Sequence, residues 1–284
     1  MVSNIKGTAA FILSLVLTLI TTACPVKAQV ELTNDEYEKL HLFFSAGRIQ
    51  NLTDEEIEYY LNVDDDDILS AHKYYKVIET ENGTICQEVS ELEAITGANS
   101  MMNMSGTVGT LSTFYQTSYK RINISKIPIS GNLYEILLNT EWLITPVVKS
   151  FDVTGIRTFD ATVSEGTQLG VQTAWNSTDG FSYVSYSPNG TNIRKQSNGF
   201  GISMNLINSG VDFYADIQAL VTANSPYAKV YGSYQHAMAN VSLIASQSYN
   251  ISQAGLGHVF NFATDIEDYY DGMGGVEISL PYSS

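Results

Sequence analysis

The sequence predicts a mainly β chain: an antiparallel β-sandwich, of jelly-roll or immunoglobulin-like type, preceded by a small α-helical hairpin and a β-hairpin. Three observations lead there. Apolar and polar residues alternate with period two through long stretches after residue 113. Turn dipeptides such as Asp179-Gly180, Asn189-Gly190 and Ser209-Gly210 punctuate those stretches. Near the front, two helix starts of one kind stand in tandem.

The first residues set a compartment. Lys6 precedes an apolar run over residues 9–20, the length of a signal-peptide core and short of what spans a bilayer of ~30 Å. Val26-Lys27-Ala28 places small residues where a signal peptidase reads them, so residues 1–28 are expected to be removed and the rest secreted. Thr21-Thr22-Ala23-Cys24 also partly resembles a bacterial lipoprotein box, which would anchor the chain through Cys24, although Thr21 stands where a leucine-like residue is usual. With cleavage after Ala28, Cys86 is left unpaired, and stability must come from a buried core.

Residues 29–98 form a small acidic region. Thr33 followed by Glu36, and Thr53 followed by Glu56, are capping boxes, with Leu32 and Leu52 placed to staple onto Tyr37 and Ile57. Gly47 reads as the stop of the first helix. The four aspartates at 64–67 lack the central glycine and closing glutamate of an EF-hand loop, and read as the start of an acidic helix running into residues 68–72. Residues 74–80 and 84–89 are β-rich and flank Asn82-Gly83, the strongest short hairpin signal. Residues 99–112, small and polar around Met101, Met102 and Met104, read as a flexible linker.

Residues 113–284 form the sandwich. Leu169, Val171, Thr173 and Trp175 make one alternating set, and Ile202, Met204 and Leu206 another. Phe213, Ala215, Ile217, Ala219 and Val221 make a third, and Val241, Leu243 and Ala245, continuing to Tyr249 and Ile251, a fourth. Each implies a strand with one face in a core. Residues 272–280 read as a kinked last strand.

A formal charge of −16, concentrated before residue 99, repels phosphate backbones and argues against nucleic acid. The chain holds no G-x-S-x-G, H-E-x-x-H, P-loop or dinucleotide fingerprint. His236 reads as a strand histidine at a sheet edge, and Cys86 as an inert hairpin thiol. The acids Asp265, Glu267, Asp268 and Asp271 are the one cluster rich enough in oxygen ligands to hold calcium; no other cofactor is expected. Trp142, Trp175, Tyr183 and Tyr186 fall on or beside predicted strands and are the candidate binding aromatics.

The expected function is a secreted or cell-wall-associated, non-catalytic interaction protein, whose β-sandwich binds an extracellular glycan or protein. One alternative is a secreted antibacterial or pore-forming protein, since a membrane hairpin also needs the alternation seen over residues 211–251. Another is an extracellular glycan hydrolase using Glu135 and Glu141, near Trp142, or the late carboxylates. Membrane contact belongs only to the pore-forming and lipid-anchored alternatives. A sandwich whose apolar faces meet inside leaves no preorganised reactive pocket.

Overall fold

The computed structural model describes residues 31–80, 83–104, 117–252 and 259–283; the expected leader, Cys24, His258 and most of the expected linker lie outside these. Both capping boxes form. Thr33 starts α1 (Asn34–His41) and Thr53 starts α3 (Asp54–Leu61), each hydroxyl accepting from the N3 amide while the N3 glutamate accepts from the cap amide. Gly47 does not stop α1, which ends at His41. It lies inside a second short helix, α2 (Ala46–Ile49), where a Cβ would stand 2.4 Å from Tyr214 and 2.9 Å from Thr173. Glycine is there because α2 presses directly on the sheet. The aspartates at 64–67 make only a 3-10 turn (Asp65–Asp67) and not a helix into residues 68–72. Strand β1 (Leu69–Thr80) takes over, because its full-length pairing outweighs one helical turn of clustered like charge.

The β-hairpin forms, β1 pairing antiparallel with β2 (Gly83–Val89), but Gly83, expected in the turn, pairs with Thr80 instead, and Asn82 lies outside the described residues. Residues 99–104, expected in the linker, instead complete helix α4 (Glu91–Met104), which packs Ala94 and Ala98 on Tyr74 and Tyr119. The remaining strands are β3 (Thr117–Ser130), β4 (Leu133–Trp142), β5 (Phe151–Phe159), β6 (Ala161–Val163), β7 (Leu169–Asn176), β8 (Gly180–Tyr186), β9 (Ile193–Gln196) and β10 (Gly199–Asn205). They are followed by β11 (Asp212–Ala223), β12 (Lys229–Gln235), β13 (Tyr249–Ile251), β14 (Phe260–Phe262) and β15 (Gly275–Ser279). Two further helical turns are α5 (Leu243–Ser246) and α6 (Thr264–Glu267). Residues 243–246 were expected to be strand; Ser242 caps them into α5 by accepting from the Ala245 amide.

The chain is an antiparallel β-sandwich preceded by short helices. One sheet runs β2-β1-β3-β4-β11-β7-β8, with β6 beside β11; the other runs β15-β12-β5-β10-β9. Their facing sides bury Ile122, Ile124, Leu138, Ile156, Phe200 and Ile202. The far side of the first sheet is covered by α1–α3, through Leu40, Phe43, Phe44 and Tyr60 against Ile127 and Leu137. The far side of the second is covered by the β13–β14 hairpin and its flanking turns. The molecule is therefore layered four deep, and polar strand positions that alternation assigns to water are covered as well. Among the described residues no helix is long and apolar enough to cross a membrane.

The fourth layer depends on a missing side chain. Gly155 and Gly201 are register partners, and a Cβ on Gly201 would lie 2.4 Å from the Tyr249 hydroxyl and 2.7 Å from Phe260. Gly201→Val is expected to push the β13–β14 hairpin off the sheet and to cost about 1–3 kcal/mol. Urea unfolding of the variant checks this, and a midpoint unchanged from wild type contradicts it.

Candidate functional site

The end of the first sheet is where candidate binding residues meet. Asn176 starts the β7–β8 turn, its side-chain oxygen accepting from the amides of Thr178 (2.9 Å) and Asp179 (2.7 Å), and Gly180 takes φ 72°. The resulting register sets Trp175 opposite Phe181 and Thr173 opposite Tyr183. Ala174 belongs to the inter-sheet core, so alternation turns Trp175, Phe181 and Tyr183 to the outer face. The Phe181 and Tyr183 rings stack at 6.2 Å and 23°. Phe181 is 38% exposed, and Trp175 and Tyr183 are half-buried. Next along the ribbon is a cavity of about 210 Å³, lined by Leu169, Val171, Ser185, Tyr186, Arg48 and Asp216. Tyr186 is buried, and burial pushes its phenol well up. The structure thus sets Trp175 and Tyr183 on one face of the ribbon and adds Phe181, which the sequence reading missed although it shares the alternation of Tyr183; Tyr186 falls on the other face, in the inter-sheet core with Ala174. Strand β8 pairs with β7 on one side, and no described strand lies on the other.

Beside this ribbon the outer face of the sheet grips the backbone of the cap. Asn123 donates to the Leu42 carbonyl at 2.7 Å, Ser125 donates to the same oxygen, and Asn139 donates to the Phe43 carbonyl at 3.1 Å. In the other sense, Asp216 accepts from the Ser45 amide at 2.7 Å and Glu141 from the Ala46 amide at 2.6 Å. Burial pushes Asp216 up to about 7 against the pull of the Ser45 hydrogen bonds. Burial likewise pushes Glu135 up to about 7, against its hydrogen bond from Tyr60. For Glu141, burial works against the carboxylate, but His41, Arg121 and the Ala46 amide together hold it below its ordinary value. Glu135 and Glu141, the carboxylates considered for a hydrolase, are thus occupied in holding the cap.

The other candidates are dispersed. Asp265, Glu267 and Asp268 are exposed on and after α6, whereas Asp271 turns inward and pairs with Lys120. Among the described residues no group of three or more His, Cys, Asp or Glu side chains could hold a metal ion. Cys86 is half-buried on β2, its thiol pushed up to about 12 by burial. Trp142 is core, donating from Nε1 to the Tyr234 hydroxyl at 3.3 Å. His236 is not at a sheet edge. It is 2% exposed just beyond β12, with Nδ1 2.9 Å from both oxygens of Asp152, because Tyr270 and the fourth layer close over the strand end. Two acids, Asp152 and Asp271, therefore do converge with a histidine, but in a sealed interior. The sequence reading placed Asp271 with the late acids and left Asp152 unremarked, since Asp152 reads as an ordinary polar strand residue. A separate cavity of about 570 Å³ borders α3, with Glu55, Glu58, Asp64 and Asp67 around Tyr59 and Ile127.

No protein-family profile matches the chain, and no curated protein matches it. Several solved structures are similar in part. The chain is 13% identical to the pilus backbone RrgB of Streptococcus pneumoniae, over 38% of this chain and 25% of that one, with a TM-score of 0.25. It is 8% identical to the collagen binding domain of the Erysipelothrix rhusiopathiae surface protein RspB, over 58% and 63%, with a TM-score of 0.25. It is 11% identical to the KRT10-binding region domain of the pneumococcal serine rich repeat protein PsrP, over 75% and 99%, with a TM-score of 0.27. The chain thus spans about a quarter of the pilus backbone and 63% of the RspB domain. At these scores nothing about activity follows.

Proposed function

We propose that the chain is a non-catalytic extracellular binding protein, secreted or wall-associated, that takes an extended segment of a protein partner along β8. The observation that carries this is the end strand itself, with Phe181 and Tyr183 on its outer face, Trp175 beside them on β7, and a cavity next along the ribbon. An end strand offers backbone groups to an added strand, and exposed rings and a pocket supply side-chain selectivity. A net charge of −16 favours a basic segment. The alternating residues of β11 that would suit a membrane hairpin, Phe213, Ala215, Ile217, Ala219 and Val221, lie in the sandwich core, which favours the binding reading over the pore-forming one.

A displayed library of random linear peptides, panned against the leaderless chain and read by biolayer interferometry, tests the reading. Basic, β-prone peptides are expected, losing at least about tenfold in affinity, or ~1.4 kcal/mol, in Phe181→Ala/Tyr183→Ala and in Trp175→Ala. Tyr282→Ala, at another exposed aromatic, leaves affinity unchanged. Binding confined to a glycan array, or dye release from liposomes, overturns it.

A further inference from the structure

Lys120 and Asp271 are brought together from 151 residues apart, and both side chains are 0% exposed. Lys120 lies on the inner face of β3 and Asp271 just before β15. The Lys120 amine contacts Asp271 Oδ2, while its other sides face the rings of Trp142 (4.9 Å) and Tyr234 (5.3 Å). The far oxygen of the carboxyl, Oδ1, accepts from the backbone amides of His236 (3.2 Å) and Met273 (3.3 Å). Asp152 fixes this strand end by accepting from the Tyr234 hydroxyl, from His236 Nδ1 and from the Ala237 amide. Neither of the two cavities described above opens onto the pair.

We infer that Lys120 and Asp271 condense into an intramolecular amide, an Nζ–Cγ cross-link between β3 of one sheet and the segment leading to β15, the last strand of the other. In water, two ionised groups and abundant solvent oppose such a bond. Here both obstacles are removed. A buried ion pair carries a large desolvation cost, so passing a proton from ammonium to carboxylate, giving a neutral amine beside a neutral carboxyl, is far less opposed than in water. The amine lone pair then attacks Cγ from a position already held against it. The negative charge forming on Oδ1 falls between the His236 and Met273 amides, which are already aimed there. Oδ2 departs as water, taking two of the three ammonium protons, and the third stays on the amide nitrogen. No oxidant or co-reactant is needed. The product removes two buried charges, and exclusion of bulk water opposes hydrolysis.

Intact mass of the purified, denatured chain, followed by tandem mass spectrometry of a tryptic digest, tests this. The expected mass is lower than the sequence mass by one water. The digest should yield a branched peptide joining Lys120 to Asp271, with no cleavage after Lys120, and Lys120→Arg should lack both features. Asp271-Gly272 can also lose water within itself as a succinimide, so a linear peptide carrying the loss overturns the inference. So does a folded wild-type chain of unreduced mass. The wild-type measurement decides the matter even if the variant fails to fold.

Discussion

Arg48→Ala is expected to destabilise the chain by about 3–5 kcal/mol, because it breaks a buried ion pair by removing one partner. Arg48 is 2% exposed, and its Nη2 donates to Glu56 Oε1 at 2.8 Å and its Nη1 to the Asn51 carbonyl at 2.9 Å. Glu56 is itself 3% exposed and uses its other oxygen to cap α3, accepting from the Thr53 amide at 2.6 Å. One side chain thus joins α2 to the start of α3, over the Phe44 ring at 5.8 Å. Removing it leaves the Glu56 charge uncompensated in the cap. Hydrogen exchange should rise across residues 34–61 first, and the urea midpoint should fall. The double variant Arg48→Met/Glu56→Leu should recover much of the loss, since a hydrophobic replacement of both partners avoids the stranded charge. A loss below about 1 kcal/mol in Arg48→Ala would mean that the cap is held by its apolar contacts alone.

The local devices of this fold were legible from residue order. The Thr33/Glu36 and Thr53/Glu56 boxes need only four neighbouring residues each, and the alternation of Phe213 to Val221 needs only one strand. What depended on distant partners was not. Asn123, Ser125 and Asn139 alternate with apolar residues just as solvent-facing side chains do, yet they grip the carbonyls of Leu42 and Phe43. The same non-locality hid Lys120 and Asp271, whose meeting requires both sheets and the closing strand. For the candidate site, alternation put Trp175 and Tyr183 on strands, but the position of β8 at the end of its sheet follows from β11 entering between β4 and β7, a pairing no local pattern encodes. Trp142 has as strong an aromatic signal as Trp175, and only the tertiary structure separates a core ring from a surface one.

Stability is expected to fall as pH rises from 5 to 8, the reverse of ordinary acid denaturation, because the cap rests on two carboxyls that burial keeps protonated. Asp216 and Glu135 are both pushed up to about 7, mainly by burial. In the unfolded chain they titrate near 4, so between about pH 4 and 7 the folded state holds protons that the unfolded state has released. Their stabilising contribution is complete below the unfolded values and is withdrawn as pH rises to the folded ones, by roughly 4 kcal/mol each at most. Glu141, held below its ordinary value, acts in the opposite sense, but its contribution is lost only in more acidic solution. Glu135→Gln and Asp216→Asn, which mimic the protonated forms, should each flatten the decline. Asp216→Asn keeps an oxygen for the Ser45 amide, and Glu135→Gln one for the Tyr60 hydroxyl. Thermal midpoints measured at intervals across this range, with ionic strength constant, decide the point. A wild-type midpoint that climbs from pH 5 to 8 would show both carboxylates ionised and paired in the folded chain, and the sheet would then hold its cap through charge instead of neutral hydrogen bonds.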